Sequence, residues 1–152
     1  MSEEGYPPAW VYRDTRPAND DAYFENMTRV IFNAGLSWKI IDKKWSNFKE
    51  AFKNFSIDKV AQFGDDYVEG LKNNSGIVRN RAKILATIQN AKQFQNIKKE
   101  FGSFQRFIDS LDKSNNYAFA VRELSENFSR VGPSSARIFL YSVGEKIEHS
   151  EE

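Results

Sequence analysis

Along most of the chain, apolar residues recur at intervals of three and four, the period of a helix with one buried face. Tyr23, Phe24, Met27, Val30, Ile31 and Ala34 form the first such face. The pattern predicts a helix capped by Asp20 or Asp21 and closed at Gly35, the residue type that most readily ends a helix in the left-handed conformation. Ser37 suits the start of the next helix, where Trp38, Ile41, Trp45, Phe48 and Phe52 keep the same spacing. Lys39, Lys43, Lys44 and Lys49 take its outer side. A short helical turn is expected from Ser56, carrying Ile57, Val60, Ala61 and Phe63, and another from Asp65 or Asp66, with Tyr67, Val68 and Leu71 inward. Beyond Asn73-Asn74-Ser75-Gly76 lies a longer helix with Ile84, Leu85, Ile88, Ala91 and Phe94. Gly102-Ser103 opens a segment bearing Phe104, Phe107, Ile108 and Leu111; residues 112–116 read as a loop and 117–128 as a helix. Gly132-Pro133 starts the last helix, since proline suits the first helical position, and Gly144 stops it. No stretch offers several strands of alternating polarity. The expected fold is all-α: one compact domain over residues 1–152, of about seven helices, with an extended arm at 1–19 and an acidic tail at 145–152.

Composition narrows the chemistry. Thirteen Phe, six Tyr and three Trp in 152 residues are a heavy aromatic load, and most of them fall at core spacing, so as a group they read as packing. Cysteine is absent, which removes disulfides and thiolate metal sites and fits a reducing compartment. The first eight residues hold neither a basic region nor an apolar run, and no segment approaches the roughly 20 apolar residues of a membrane helix. A soluble, cytoplasmic protein with no membrane partner is expected.

The net charge of +1 hides an uneven distribution. Lys72, Arg79, Arg81, Lys83, Lys92, Lys98 and Lys99 follow one another with no Asp or Glu between them. Glu145, Glu148, Glu151 and Glu152 crowd the other end. A basic patch on a near-neutral protein suits one polyanionic face; an ordinary solvated helix surface is the competing reading. Within the patch, two helices joined around Gly76 would form a helix-hairpin-helix. Glycine there permits a positive φ and a close backbone approach. The N–H groups opening the second helix suit a phosphate oxygen. Ser75, Gly76, Ile77, Val78, Arg79, Arg81 and Lys83 are therefore the candidate DNA-backbone residues. A hairpin that merely reverses the chain would show the same pattern.

An ordered series of short motifs goes further. Asn33-Ala34-Gly35-Leu36-Ser37-Trp38, Lys43-Lys44, Ala51-Phe52-Lys53-Asn54-Phe55 and Val60-Ala61 are followed by Gly76-Ile77-Val78-Arg79-Asn80-Arg81-Ala82-Lys83-Ile84, Asn90-Ala91, Gly102-Ser103-Phe104 and Val131-Gly132-Pro133. In this order the chain resembles the 3-methyladenine DNA glycosylase I family. The resemblance implies a monofunctional base-excision repair glycosylase that hydrolyses the N-glycosidic bond of an alkylated purine such as 3-methyladenine in duplex DNA. Such an enzyme flips its target base out of the stack at a cost of a few kcal/mol. An N3-alkylated adenine is cationic and a good leaving group, so water serves as nucleophile with little need for acid catalysis. By the same resemblance Trp38 is the shelf on which the base stacks, and Tyr12 in Tyr12-Arg13-Asp14 matches the pocket tyrosine. Val30 stands where the family places its pocket carboxylate, and no catalytic residue is assigned. Asn33, one helical turn beyond Val30, either reads a base edge through its amide or caps the helix end. The family's zinc clasp draws on cysteines and histidines near both termini; this chain has only His149, read as a surface residue, and neither metal nor cofactor is expected. The implied partner is double-stranded DNA containing damaged bases, met by a monomer. A non-catalytic DNA- or lesion-binding protein that kept the hairpin is the alternative, and a helical module docking an acidic protein is a third.

Overall fold

The computed structural model describes Tyr12 and residues 15–148; most of the N-terminal arm, and His149, Glu151 and Glu152 of the acidic tail, lie outside those residues. The architecture is all-α. Among the described residues eight α-helices follow in order: α1 Asp20–Asn33, α2 Trp38–Ala51, α3 Ile57–Val60, α4 Asp65–Lys72, α5 Arg81–Phe101, α6 Phe104–Ser110, α7 Ser114–Asn127 and α8 Pro133–Ser142, with a 3-10 turn at Lys53–Phe55 between α2 and α3. The 21-residue α5 is the central strut, packed against α1, α3, α4 and α6, while α8 closes against α1 and α7.

The heavy aromatic load is core. Phe24, Phe32, Phe48, Phe52, Phe55, Phe94, Phe104 and Phe139 are fully buried. Trp45 lies almost parallel to Phe55, with ring centroids 5.1 Å apart and planes 9° from each other. Phe94 stacks on Phe104 at 4.5 Å. Offset and tilted pairs of this kind add to what burial alone contributes.

Helix ends follow the sequence signals in part. Ser37 caps α2 by accepting from Ile40 N–H, and Ser103 does the same for α6 through Arg106. Gly35 takes φ +84° just past α1, where a side chain would be strained. Asp20 and Asp21 do not cap α1; Asn19 does, accepting from Ala22 N–H at 3.0 Å. The two aspartates, carried in the first turn of α1, instead reach the starts of other helices. Asp21 accepts from Ile57 N–H of α3 at 3.1 Å, and Asp20 from Phe104 N–H of α6 at 3.0 Å. Likewise Gly64, with no side chain to offer, precedes α4, leaving Asp65 and Asp66 in its first turn.

The acidic tail is not a solvated charge run at its start. Glu145 and Ile147 are buried, and the backbone runs back over the N-terminal segment. Tyr12 N–H donates to Ser142 C=O at 2.9 Å. No described helix is long and apolar enough to cross a membrane.

Candidate functional site

Trp38 is the first residue of α2, held there by the Ser37 cap and half-buried. The same helix carries the glycine turn. Asn47 donates to Gly76 C=O at 3.1 Å, and the Lys44 ammonium lies 3.5 Å from Ser75 C=O. At a rise of about 1.5 Å per residue, Trp38 and Lys44 stand roughly 9 Å apart along α2. Trp38 and the two side chains that hold the glycine turn thus lie on one helix.

The hairpin differs from its expected form. Gly76 is not in the left-handed region; among the described glycines only Gly35, Gly102 and Gly144 are. Its smallness serves proximity instead, because a Cβ there would sit 3.1 Å from Asn47 and from Asn74. Gly76 N–H is bonded to Asn74 Oδ1 at 2.8 Å. The second helix begins only at Arg81, capped by Asn80, whose side chain accepts from Lys83 N–H. Ile77 is buried and anchors the turn, and Val78 is half-buried. Ser75, Arg79 and Arg81 face solvent, with Arg81 paired to Glu69 at 3.1 Å.

Lys83 does not join them. It is 7% exposed, and its ammonium donates to Phe32 C=O at 3.3 Å and Ala34 C=O at 2.8 Å. It caps the end of α1, and burial, with Arg130 nearby, pushes its pKa below the ordinary lysine value. The periodicity puts residue 83 on the inner side of α5, one position before Ile84; a charge at that place signals a carbonyl cap, not a phosphate contact.

Around the shelf, Val30 is only 3% exposed and lies within the hydrophobic core. Asn33 performs the helix-end role, its Nδ2 donating to Leu36 C=O at 3.2 Å, while its buried Oδ1 accepts no hydrogen bond from the described residues. Tyr12 is half-buried over the end of α8, and burial together with the nearby Glu25 carboxylate raises its hydroxyl pKa. Glu25 belongs to a polar cluster that the hydrophobic period does not reveal. Its Oε2 accepts from Trp45 Nε1 at 2.9 Å. Arg29 lies over the Trp45 ring, 4.8 Å from its centroid, and pairs with Asp42. Burial lowers the Arg29 pKa, with Asp42 opposing. The i, i+4 spacing of opposite charges at Glu25 and Arg29, in the middle of α1, is the available signal.

The model of the methyladenine glycosylase family matches residues 9–139. The chain belongs to that family. Its relatives include the DNA-3-methyladenine glycosylase of Haemophilus influenzae, 37% identical over 85 residues, which are 56% of this chain and 46% of that protein. DNA-3-methyladenine glycosylase 1 of Escherichia coli is also 37% identical, over 75 residues, 49% of this chain and 40% of that one. The chain thus matches about half the length of these curated relatives, or less. A solved variant of 3-methyladenine DNA glycosylase I in complex with 3-methyladenine superposes with a TM-score of 0.76 at 28% identity, covering 88% of this chain and 81% of that one. This methyladenine glycosylase family member has no group of three or more His, Cys, Asp or Glu side chains fit to hold a metal ion among its described residues. With no cysteine and one histidine, its donor set does not fit the zinc clasp of the family resemblance.

Proposed function

We propose that the chain is a DNA glycosylase of base-excision repair, acting on duplex DNA and hydrolysing the bond between deoxyribose and an alkylated purine such as 3-methyladenine. The observation that carries this is the geometry of α2, which joins a half-buried Trp38 at its mouth to the Ser75–Gly76 turn about two helical turns away. Successive nucleotides of one strand rise about 3.4 Å, so a span of roughly 9 Å lets one rod hold a flipped base and the backbone a few nucleotides along. The family membership and the relatives' names support the same reading.

In this reading Trp38 stacks under the extruded base and Tyr12 walls the pocket from the N-terminal side. Ser75, Arg79 and Arg81 grip phosphates, with Gly76, Ile77 and Val78 shaping the turn; Lys83 is left out. Asn33 Oδ1, a buried acceptor with no partner among the described residues, is the group we assign to an N–H on the base edge. Val30, buried in the core, supplies no carboxylate to balance a cationic base, so in this reading binding rests on stacking and on the Asn33 amide. Water is the nucleophile.

Incubation of the protein with alkylated duplex DNA, followed by measurement of released bases, tests the activity. Base–aromatic stacking contributes about 1–3 kcal/mol, so Trp38→Ala should lower release by about fivefold to 150-fold. Release that does not depend on Trp38 would refute the pocket.

The burial of Val30 where a carboxylate was expected favours a second reading, a lesion-binding protein without chemistry. It predicts salt-sensitive DNA binding and no free base at any enzyme concentration.

A further inference from the structure

The side chain of Glu145 is 4% exposed and lies at the meeting point of both ends of the described chain. Its Oε2 accepts from Arg16 at 2.9 Å. Its Oε1 accepts from the Tyr117 hydroxyl at 3.0 Å and lies 2.9 Å from the Lys113 ammonium. Arg16 also grips Asp109 with both terminal nitrogens, at 2.6 and 3.2 Å, and Lys113 reaches Asp109 at 3.4 Å. Two cations and two carboxylates therefore balance. They join the N-terminal segment, α6, the start of α7 and the segment after α8.

Other contacts converge on the same place. Gly144, at φ +90°, leaves no room for a Cβ, which would stand 2.0 Å from Thr15 C=O and 2.8 Å from Tyr12 C=O. Tyr12 N–H is bonded to Ser142 C=O, and Asn26 of α1 donates to the same carbonyl at 3.1 Å. On the far side, Asn116 and Glu148 exchange bonds at 3.1 and 2.8 Å.

We propose that Glu145 is the pin of an ionic, metal-free clasp that holds Tyr12, Thr15 and Arg16 against the end of α8 and thereby positions Tyr12. The chain lacks the donors for a zinc clasp, and guanidinium, ammonium and carboxylate groups occupy the junction where its two ends meet. Glu145 is a positioning residue: it touches no reacting atom and acts through the tyrosine. The part Tyr12 plays in base binding rests on the function proposed above; the clasp does not.

Two measurements on the full chain separate these claims. Amide hydrogen exchange should show Tyr12 N–H opening at least tenfold faster in Glu145→Gln and Arg16→Gln, with Ile88 N–H in α5 unchanged. Arg16→Lys, which keeps the charge, should retain most of the protection. Asp109→Asn, at the exposed end of the network, should give a smaller acceleration and serves if the Glu145 variant does not fold. Equal acceleration at Tyr12 and Ile88, or none at Tyr12, would overturn the clasp. Titration with free 3-methyladenine then tests the coupling. Glu145→Gln should weaken binding in the wild-type background and add nothing to Tyr12→Ala; an equal further loss in that background would reduce Glu145 to a structural role. If the unaltered chain binds no 3-methyladenine, the functional reading fails while the exchange result still judges the clasp.

Discussion

At the scale of single residues, two cations nearly adjacent in sequence have unlike tasks. Arg79 is exposed at the hairpin, whereas Lys83 satisfies two carbonyls at the end of α1. Leaving a buried acceptor without its donor costs about 1–3 kcal/mol. Lys83→Met should therefore lower stability by roughly that amount in urea unfolding, yet leave the salt dependence of DNA binding as it was. Arg79→Glu should do the reverse. Its Tm should stay within about a degree or two, since exposed substitutions rarely matter much to folding. Its log–log salt slope should become shallower by about one. A shallower slope for the Lys83 variant alone would reverse the two assignments.

At the scale of elements, the hydrophobic period was enough to place the helices. α1, α2, α5 and α8 lie where their apolar faces predict, and Ser37, Ser103 and Pro133 mark their helix starts as expected. What the period does not carry is the partner of a polar group. Asp20 and Asp21 look like local caps, but they cap α6 and α3, and only the tertiary arrangement says so. Glu145 looks like the start of a charged tail, and its burial depends on Arg16, 129 residues away in sequence. Trp38 as the first residue of α2 and the turn around Gly76 were legible as positions, because their signals are local. Glu25, Arg29, Asp42 and Trp45 were not, since their meaning lies in the packing of α1 on α2. The end of α8 yields an element-scale prediction. Gly144→Ala adds a methyl where Thr15 C=O already stands, in a left-handed conformation that costs a further 1–2 kcal/mol or so for a residue with a Cβ. Thermal unfolding should show a loss of about 2 kcal/mol or more, together with faster proteolysis ahead of α1. A variant as stable as wild type would mean that the N-terminal segment does not rest there.

At the scale of the whole molecule, the two ends are linked by charge, so their union responds to acid. Arg16 holds the Asp109 carboxyl below its usual pKa by hydrogen bonding and by its charge. A carboxylate whose folded pKa is depressed contributes stability above its unfolded value, near pH 4, and loses it as pH falls through the lower folded value. Asp109 is about half exposed, so screening keeps this contribution small. The Tm gap between wild type and Asp109→Asn should be open at pH 5 and closed by about pH 2. A gap that is the same at both would remove Asp109 from the linkage.

The aspartates that open α1 carry a further consequence for the whole chain. α3 has four residues and α6 seven, far fewer than the roughly 12–15 at which a helix is even marginal by itself in water. Each has its first amide held by a carboxylate from α1. α3 and α6 should therefore gain amide protection no earlier than α1 during refolding; protection of Ile57 or Phe104 ahead of α1 would break that link.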